Sequence, residues 1–299
     1  MNHPAALLVA ALALASAAGA VEPLPGLEVP AEVEQGGLVF GHAPPGSVLM
    51  FGTRKVRVAA DGSFVVGVGR DDTGSLQLHA RAVDGRAVDA VVAIRPRQFA
   101  VERVDGVPEA TVNPPAELAA RIEREQAEVN HARERDDARQ DYRFGFAWPA
   151  RGRISGRYGS QRILNGTPKN PHYGVDIAAT TGTPIKAPAG GVVSFARPDL
   201  YLTGGTVVVD HGHGLSSVFV HLSKLDVAAG DRIEQGEVLG RVGATGRATG
   251  PHLHWGMNWF DVRVDPELLV GPMPRPVGAP PGANGTTATS IAARAAPTR

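Results

Sequence analysis

Histidines are unevenly spread along this 299-residue chain: of ten, six (His172, His211, His213, His221, His252 and His254) fall between positions 172 and 254. In His252-Leu253-His254 the imidazoles are two residues apart, so on a strand they leave the same face, with Cα atoms roughly 6–7 Å apart, and both reach one cleft. A His-x-His pair is weak support for a site when it stands alone. His172-Tyr173-Gly174-Val175-Asp176 adds a third imidazole and a carboxylate. Fully extended, residues four apart would be separated by roughly 13 Å, too far to share one ion, so a bend is needed. Gly174, midway, is the residue type that permits one. Two histidines and one carboxylate leave the fourth position of a tetrahedral zinc ion open, as catalytic sites require. Bound zinc brings the pKa of its water down to about 7 and polarises a carbonyl, which suits amide hydrolysis. The other member of the His-x-His pair, and His221 at the end of an apolar run, are available to move protons and stabilise an oxyanion. Spacing does not divide that labour between them.

Composition narrows the field. Thirty basic residues balance thirty acidic ones, so net charge points to neither a nucleic-acid binder nor a membrane-attracted surface. There is no cysteine, which removes disulfides, thiolate metal sites, a cysteine nucleophile and a lipid-modified cysteine. Any metal site must use histidine and carboxylate.

The elements that must position these residues can be read from texture. Residues 1–20 are an Ala/Leu-rich apolar run ending in Ala18-Gly19-Ala20, the pattern of a signal peptide cleaved after Ala20, although no Lys or Arg precedes the run. A retained membrane anchor is the rival reading, and the run is short for a span. Within 21–113, short alternating runs such as Val56-Arg57-Val58, divided by Asp61-Gly62 and Asp84-Gly85, predict a small β-sandwich-like accessory domain in which His42 and His79 are ordinary residues. A helical connector is expected over 114–145, its Glu/Arg/Ala-rich core running from Ala116 to about Tyr142, with Glu117 and Arg121 at i,i+4 spacing and only a thin apolar stripe of Leu118, Ile122 and Val129. His131 within it reads as a solvated residue. From 146 to 270, Gly-punctuated β-branched runs predict a second all-β domain, and 271–299, rich in Pro, Gly, Ala and Thr, is expected to be disordered.

The second domain closely resembles the lysostaphin-type, LytM-like zinc metallopeptidases over about residues 152–266. The matching segments include Arg162-Ile-Leu-Asn-Gly166, His172-Tyr-Gly-Val-Asp176, Gly182-Thr-Pro-Ile-Lys-Ala-Pro188, Asp210-His-Gly-His-Gly214, Val220-His-Leu-Ser223 and Thr245-Gly-Arg-Ala-Thr-Gly-Pro-His-Leu-His254. The resemblance implies a mainly β protein whose C-terminal domain is a lipoyl-like barrel-sandwich hybrid, a duplicated hybrid motif. It further implies one zinc ion (Zn2+) held by His172, Asp176 and His254, with His221 and His252 acting on the water and on the oxyanion. Arg162 and Asn165 become candidate substrate contacts, while His211 and His213 fit a structural corner and Trp255 a core or groove wall. One departure is Phe219-Val220-His221, where the family commonly has Tyr-Ala-His. The implied activity is endopeptidase cleavage of peptidoglycan cross-links by a metal-activated water, in the periplasm or cell envelope, with no stable membrane anchor after signal cleavage.

Three other readings compete. A non-catalytic wall-binding or amidase-activating module is disfavoured by the complete five-residue set. A lipoyl-like carrier, suggested by the run Gly230–Leu239, would need a lysine at its tip, and that run has none. A serine hydrolase built on Ser216 or Ser217 lacks the Gly-x-Ser-x-Gly elbow.

Overall fold

A computed structural model describes residues 26–106 and 114–274. The expected signal peptide, and the expected tail from 275 onward, lie outside the described residues. The tail's first residues are held: Trp148 Nε1–H donates to the Gly271 carbonyl, and the Met273 sulfur accepts from the Gly152 N–H.

The N-terminal region is a small β-sandwich. A five-stranded sheet, ordered Glu32–Glu34, Ala87–Arg95, Ser75–Arg81, Val48–Phe51, Arg54–Val56, faces a two-stranded ribbon of Leu38–His42 and Ser63–Gly67. Alternation in Ser75–Arg81 puts Leu76, Leu78 and Ala80 inside and the intervening residues outside, the pattern of a half-buried antiparallel strand. His42 and His79 are exposed on these strands, His79 bonded to Asp89.

Strand Val101–Val104 then leaves the sandwich and pairs in parallel with Gln161–Leu164, adding an edge to the hairpin that Gln161–Leu164 makes with Thr167–Pro168. The accessory segment is thus stitched into the second region.

Helix Ala116–Ala132 follows, and here the structure corrects the expectation of helix to about Tyr142. Ten residues of the predicted stretch leave the helix because their side chains have better partners elsewhere. Arg135 and Arg139 both pair with the buried Asp210 carboxylate, and the Asp137 carbonyl accepts from the His213 N–H. Propensity for helix is a few tenths of a kcal/mol per residue, whereas hydrogen bonds to charged groups are worth about 1.5–3 kcal/mol each, so the tertiary contacts win. A 3-10 turn, Asp141–Phe144, closes the connector.

The helix also pairs Arg121 with Glu125 rather than with Glu117, and the second Glu125 oxygen accepts from the Tyr201 N–H. This docks Glu125, Val129 and Ala132 as its buried face against the sheet beneath.

That sheet is ordered Arg232–Ile233, Gly191–Leu200, Gly204–Gly212, Leu215–Leu222, His252–Trp259, Val175–Ala178, Arg153–Gly156, with Val262–Val264 also paired to His252–Trp259. One face packs on a three-stranded sheet of Pro184–Lys186, Val238–Arg241 and Lys224–Leu225, enclosing Ile185, Phe219, Leu239, Leu253 and Trp255 at essentially zero exposure. The opposite face carries Val208, Val218 and Val220, against which Val129 of the helix packs. The sandwich and the second region share one continuous core, joined where Phe51 and Gly67 meet Trp259.

Candidate metal centre

Strand pairing assembles the site. Asp176 and His254 are direct cross-strand partners on neighbouring antiparallel strands, so their side chains rise together on the helix-facing side of the sheet. His252, two residues earlier, shares that face. His172 arrives from the segment before Val175–Ala178, and its Nε2 lies 2.9 Å from His254 Nδ1 and 3.0 Å from Asp176 Oδ1; His254 Nδ1 is 2.8 Å from the same oxygen.

Gly174 has a more specific task than allowing a bend. A β-carbon there would sit 2.6 Å from the Trp255 carbonyl and 2.7 Å from His254 Nε2, closer than any side chain tolerates. Gly156 on the next strand does the same for the carboxylate, where a β-carbon would stand 2.5 Å from Asp176 Oδ2. Both glycines clear space for the triad.

The donor chemistry of the three side chains fits a cation. His172 donates its Nδ1–H to the Arg157 carbonyl at 3.0 Å, which leaves a lone pair on Nε2 aimed at an imidazole nitrogen and a carboxylate oxygen. A cation between these atoms would satisfy all three as acceptors. Tetrahedral zinc with N and O ligands at about 2.0–2.1 Å separates its ligand atoms by roughly 3.3 Å, within a few tenths of an ångström of the observed spacings. Among the described residues, this is the cluster of His, Asp and Glu groups whose ligand atoms all lie within 4.8 Å of one another.

Burial would raise the Asp176 carboxyl, but the adjacent imidazoles of His172 and His254 outweigh it and hold the group well below the usual carboxylate range.

His221 and His252 stand beside the triad with ring centroids 4.7 Å apart. Each imidazole is oriented by an Nδ1–H bond of 2.8 Å to a carbonyl, Thr245 for His221 and Gly250 for His252, so each keeps Nε2 for other work. His252 Nε2 is 3.9 Å from Asp176 Oδ1. Burial pushes His221 down to about 4, opposed by its Thr245 bond and reinforced by the neighbouring imidazoles, so it is neutral at pH 7.

A model of peptidase family M23 matches residues 170–266, the segment that carries all five of these side chains. A crystal structure of a peptidase M23 from Pseudomonas aeruginosa superimposes with a TM-score of 0.59 at 36% identity, covering 78% of this chain and 92% of that one. The chain belongs to peptidase family M23. Within the family it is similar to the DD-carboxypeptidase/endopeptidase Mpg of Neisseria meningitidis serogroup B, at 41% identity over 34% of this chain and 24% of that protein. It is likewise similar to the peptidoglycan DD-endopeptidase ShyA of Vibrio cholerae, at 39% identity over the same shares. The match thus spans about a quarter of the length of these curated relatives.

Family M23 membership makes the remaining sequence candidates worth placing. Arg162 leans over the triad, its Nη2 3.9 Å from Asp176 Oδ2 and its Nε 3.8 Å from Glu102. Asn165 is exposed at the hairpin tip, where Asn165 (φ 48°) and Gly166 (φ 76°) take the left-handed conformations that a tight two-residue turn demands. That turn accounts for an Asn-Gly pair by itself.

Ser217 from the serine reading, His211 from the corner and Trp255 form one buried network. His211 donates Nδ1–H to the Gly190 carbonyl and receives the Ser217 hydroxyl at Nε2, while Trp255 Nε1–H donates to the same hydroxyl. Ser217 has zero exposure, so it cannot attack a substrate. His213 is buried against Tyr142 in the corner that receives the connector. Trp255 belongs to the core, edge-on to Trp148, and stiffens the strand that presents His254.

Arg133 and Arg263, which no motif marks, line a cavity beside His254. Single arginines 130 positions apart carry no local signal.

Proposed function

We propose that this chain is a zinc-dependent endopeptidase that hydrolyses peptide cross-links of bacterial peptidoglycan, with water as the nucleophile. The observation that carries the reading is the convergence of three acceptor atoms from His172, Asp176 and His254 with two carbonyl-anchored histidines alongside them. His172, Asp176 and His254 are the residues that would hold one zinc ion. Zinc in that position supplies Lewis acidity, which polarises a scissile carbonyl and acidifies water at neutral pH.

The chain's own groups do the rest. The Arg157 carbonyl fixes the His172 tautomer and so keeps Nε2 free to ligate. His221, neutral at pH 7, takes a proton at Nε2 from the attacking water, and His252, in its doubly protonated form, hydrogen-bonds the developing oxyanion through Nε2–H while its Nδ1–H stays on the Gly250 carbonyl. Rings already locked by Nδ1–H bonds need no reorganisation during the reaction, which is where such electrostatic stabilisation gains its strength. Arg162, over the site, contacts the substrate backbone or a carboxylate, with Asn165 in a supporting position at the groove edge.

Relatives named for DD-endopeptidase activity favour a bond between two D-residues of cross-linked stem peptides. Such a substrate lies outside the cytoplasm, in accord with export by a signal peptide cleaved after Ala20 and residence in the periplasm or cell envelope. We also hold to an accessory unit over 21–113, a connector over 114–145 and a peptidase unit over 146–270. Purified sacculi incubated with the zinc-loaded chain should lose cross-linked muropeptide dimers and gain the corresponding monomers by mass. Unchanged muropeptide masses with zinc-loaded, folded protein would remove this reading.

A further inference from the structure

Between the end of the helix and the site face of the sheet lies a cavity of about 170 Å³, lined by Arg133, Arg263, Tyr173, Thr206 and Val220 and bounded by His254. At roughly 30 Å³ per water it holds five or six waters, or one small amino-acid end. Its unusual property is charge. Arg133, at the C-cap of Ala116–Ala132, is only 6% exposed, yet its guanidinium gives one bond, Nη1–H to Asn130 Oδ1 at 3.0 Å, while Nε is buried with no partner. Arg263 gives Nη1–H to the Asn258 side-chain oxygen at 3.3 Å and lies over the Tyr173 ring, 5.8 Å from its centroid.

Neither guanidinium has a carboxylate partner among the described residues, in a chain where Arg97, Arg121 and Arg139 each have one. Glu125, the acidic residue in the cavity wall, is committed to Arg121 and the Tyr201 N–H. The helix C-terminal dipole and the Tyr173 ring offset part of the two charges, but a buried guanidinium beside a second, half-buried one, both under-bonded, remains costly. Burial, followed by the repulsion of Arg263, depresses Arg133, and no acidic group counters it. Planar guanidinium groups bind planar carboxylates bidentately, and an anion between them would relieve desolvation and repulsion together.

We propose that Arg133 and Arg263 form a carboxylate-binding subsite that receives a free carboxylate of the substrate peptide while the neighbouring amide lies at His254. This rests on the hydrolase reading, and it adds a specificity: substrates ending in a carboxylate are selected over those whose carboxyl is amidated.

The test is calorimetric titration of the zinc-loaded full chain with N-acetyl-D-alanine and with its carboxamide. The acid should bind at least about tenfold more tightly than the amide. Arg133→Gln and Arg263→Gln should each remove that preference with zinc content unchanged, whereas Arg133→Lys, which keeps the charge, should retain part of it. Equal binding of acid and amide overturns the subsite, as does binding of neither. A preference that survives in both folded glutamine variants also overturns it, since the carboxylate would then be held by the zinc. The measurement requires no turnover. Protein that binds the acid through both arginines yet leaves sacculi intact keeps the subsite and loses the hydrolase reading; protein that opens sacculi while treating acid and amide alike does the reverse.

Discussion

His221 shows how much one backbone angle can decide. The register of Leu215–Leu222 against His252–Trp259 places Val220 opposite His254, so on a regular strand His221 would point to the core side with Leu253. Its φ of 67° and the register break beside it turn the ring onto the site face instead, within 4.7 Å of His252. A non-glycine residue held there is strained by about 1–3 kcal/mol, and the Thr245 bond helps to retain it. The roles proposed for these side chains separate cleanly by substitution. His254→Ala should lose bound zinc and activity together. His221→Ala should keep zinc, measured by metal analysis of dialysed protein, while turnover on sacculi falls by about 10²–10⁴-fold. Loss of zinc from the His221 variant would show that the division between holding the metal and moving protons is misplaced.

Among the elements, the short strand Val175–Ala178 and the loop before it carry the most consequence per residue. Gly174 allows His254 to lie against the backbone, and Gly174→Ala would force a β-carbon into the Trp255 carbonyl and the His254 ring. Because this shift acts on a ligand's orientation rather than its identity, zinc affinity should fall by about 10–100-fold with the fold retained. Competition with a chromogenic chelator would measure it, and unchanged affinity would mean that the strand relaxes at no cost. The connector is the opposite case, an element whose boundary local propensity misjudged. Its helix-forming composition continues past Ala132, but Asp210 captures Arg135 and Arg139 from a distant strand. Nothing in residues 133–142 announces that partner, since it lies some 70 positions away.

Over the whole molecule, the buried His211 network couples folding to pH. Burial pushes His211 down to about 4, against the opposing Gly190 bond, whereas an unfolded imidazole titrates near 6.5. Between those values the unfolded chain binds more protons than the folded one. The stabilising effect of neutral His211 is therefore fully present above about pH 6.5 and is lost as pH falls toward about 4, by up to ~3 kcal/mol. Urea midpoints of wild type should drop between pH 7.5 and pH 5, and His211→Gln, which cannot titrate, should show a shallower drop. Parallel pH dependences in the two proteins would assign the acid sensitivity to other groups.

Residue types and short spacings were enough to mark a mainly β chain, a metal-capable set of histidines and an aspartate, and a glycine at the midpoint of one motif, because strand alternation and ligand chemistry are local properties. Which atoms meet is not local. Pairing of Asp176 with His254, the turning of His221 out of the core, the early end of the helix at Ala132 and the arrival of Arg133 and Arg263 at one cavity all depend on contacts between residues tens to more than a hundred positions apart. The free energy that selects those contacts comes from burial and ion pairing in the folded molecule, so tertiary structure alone could settle them.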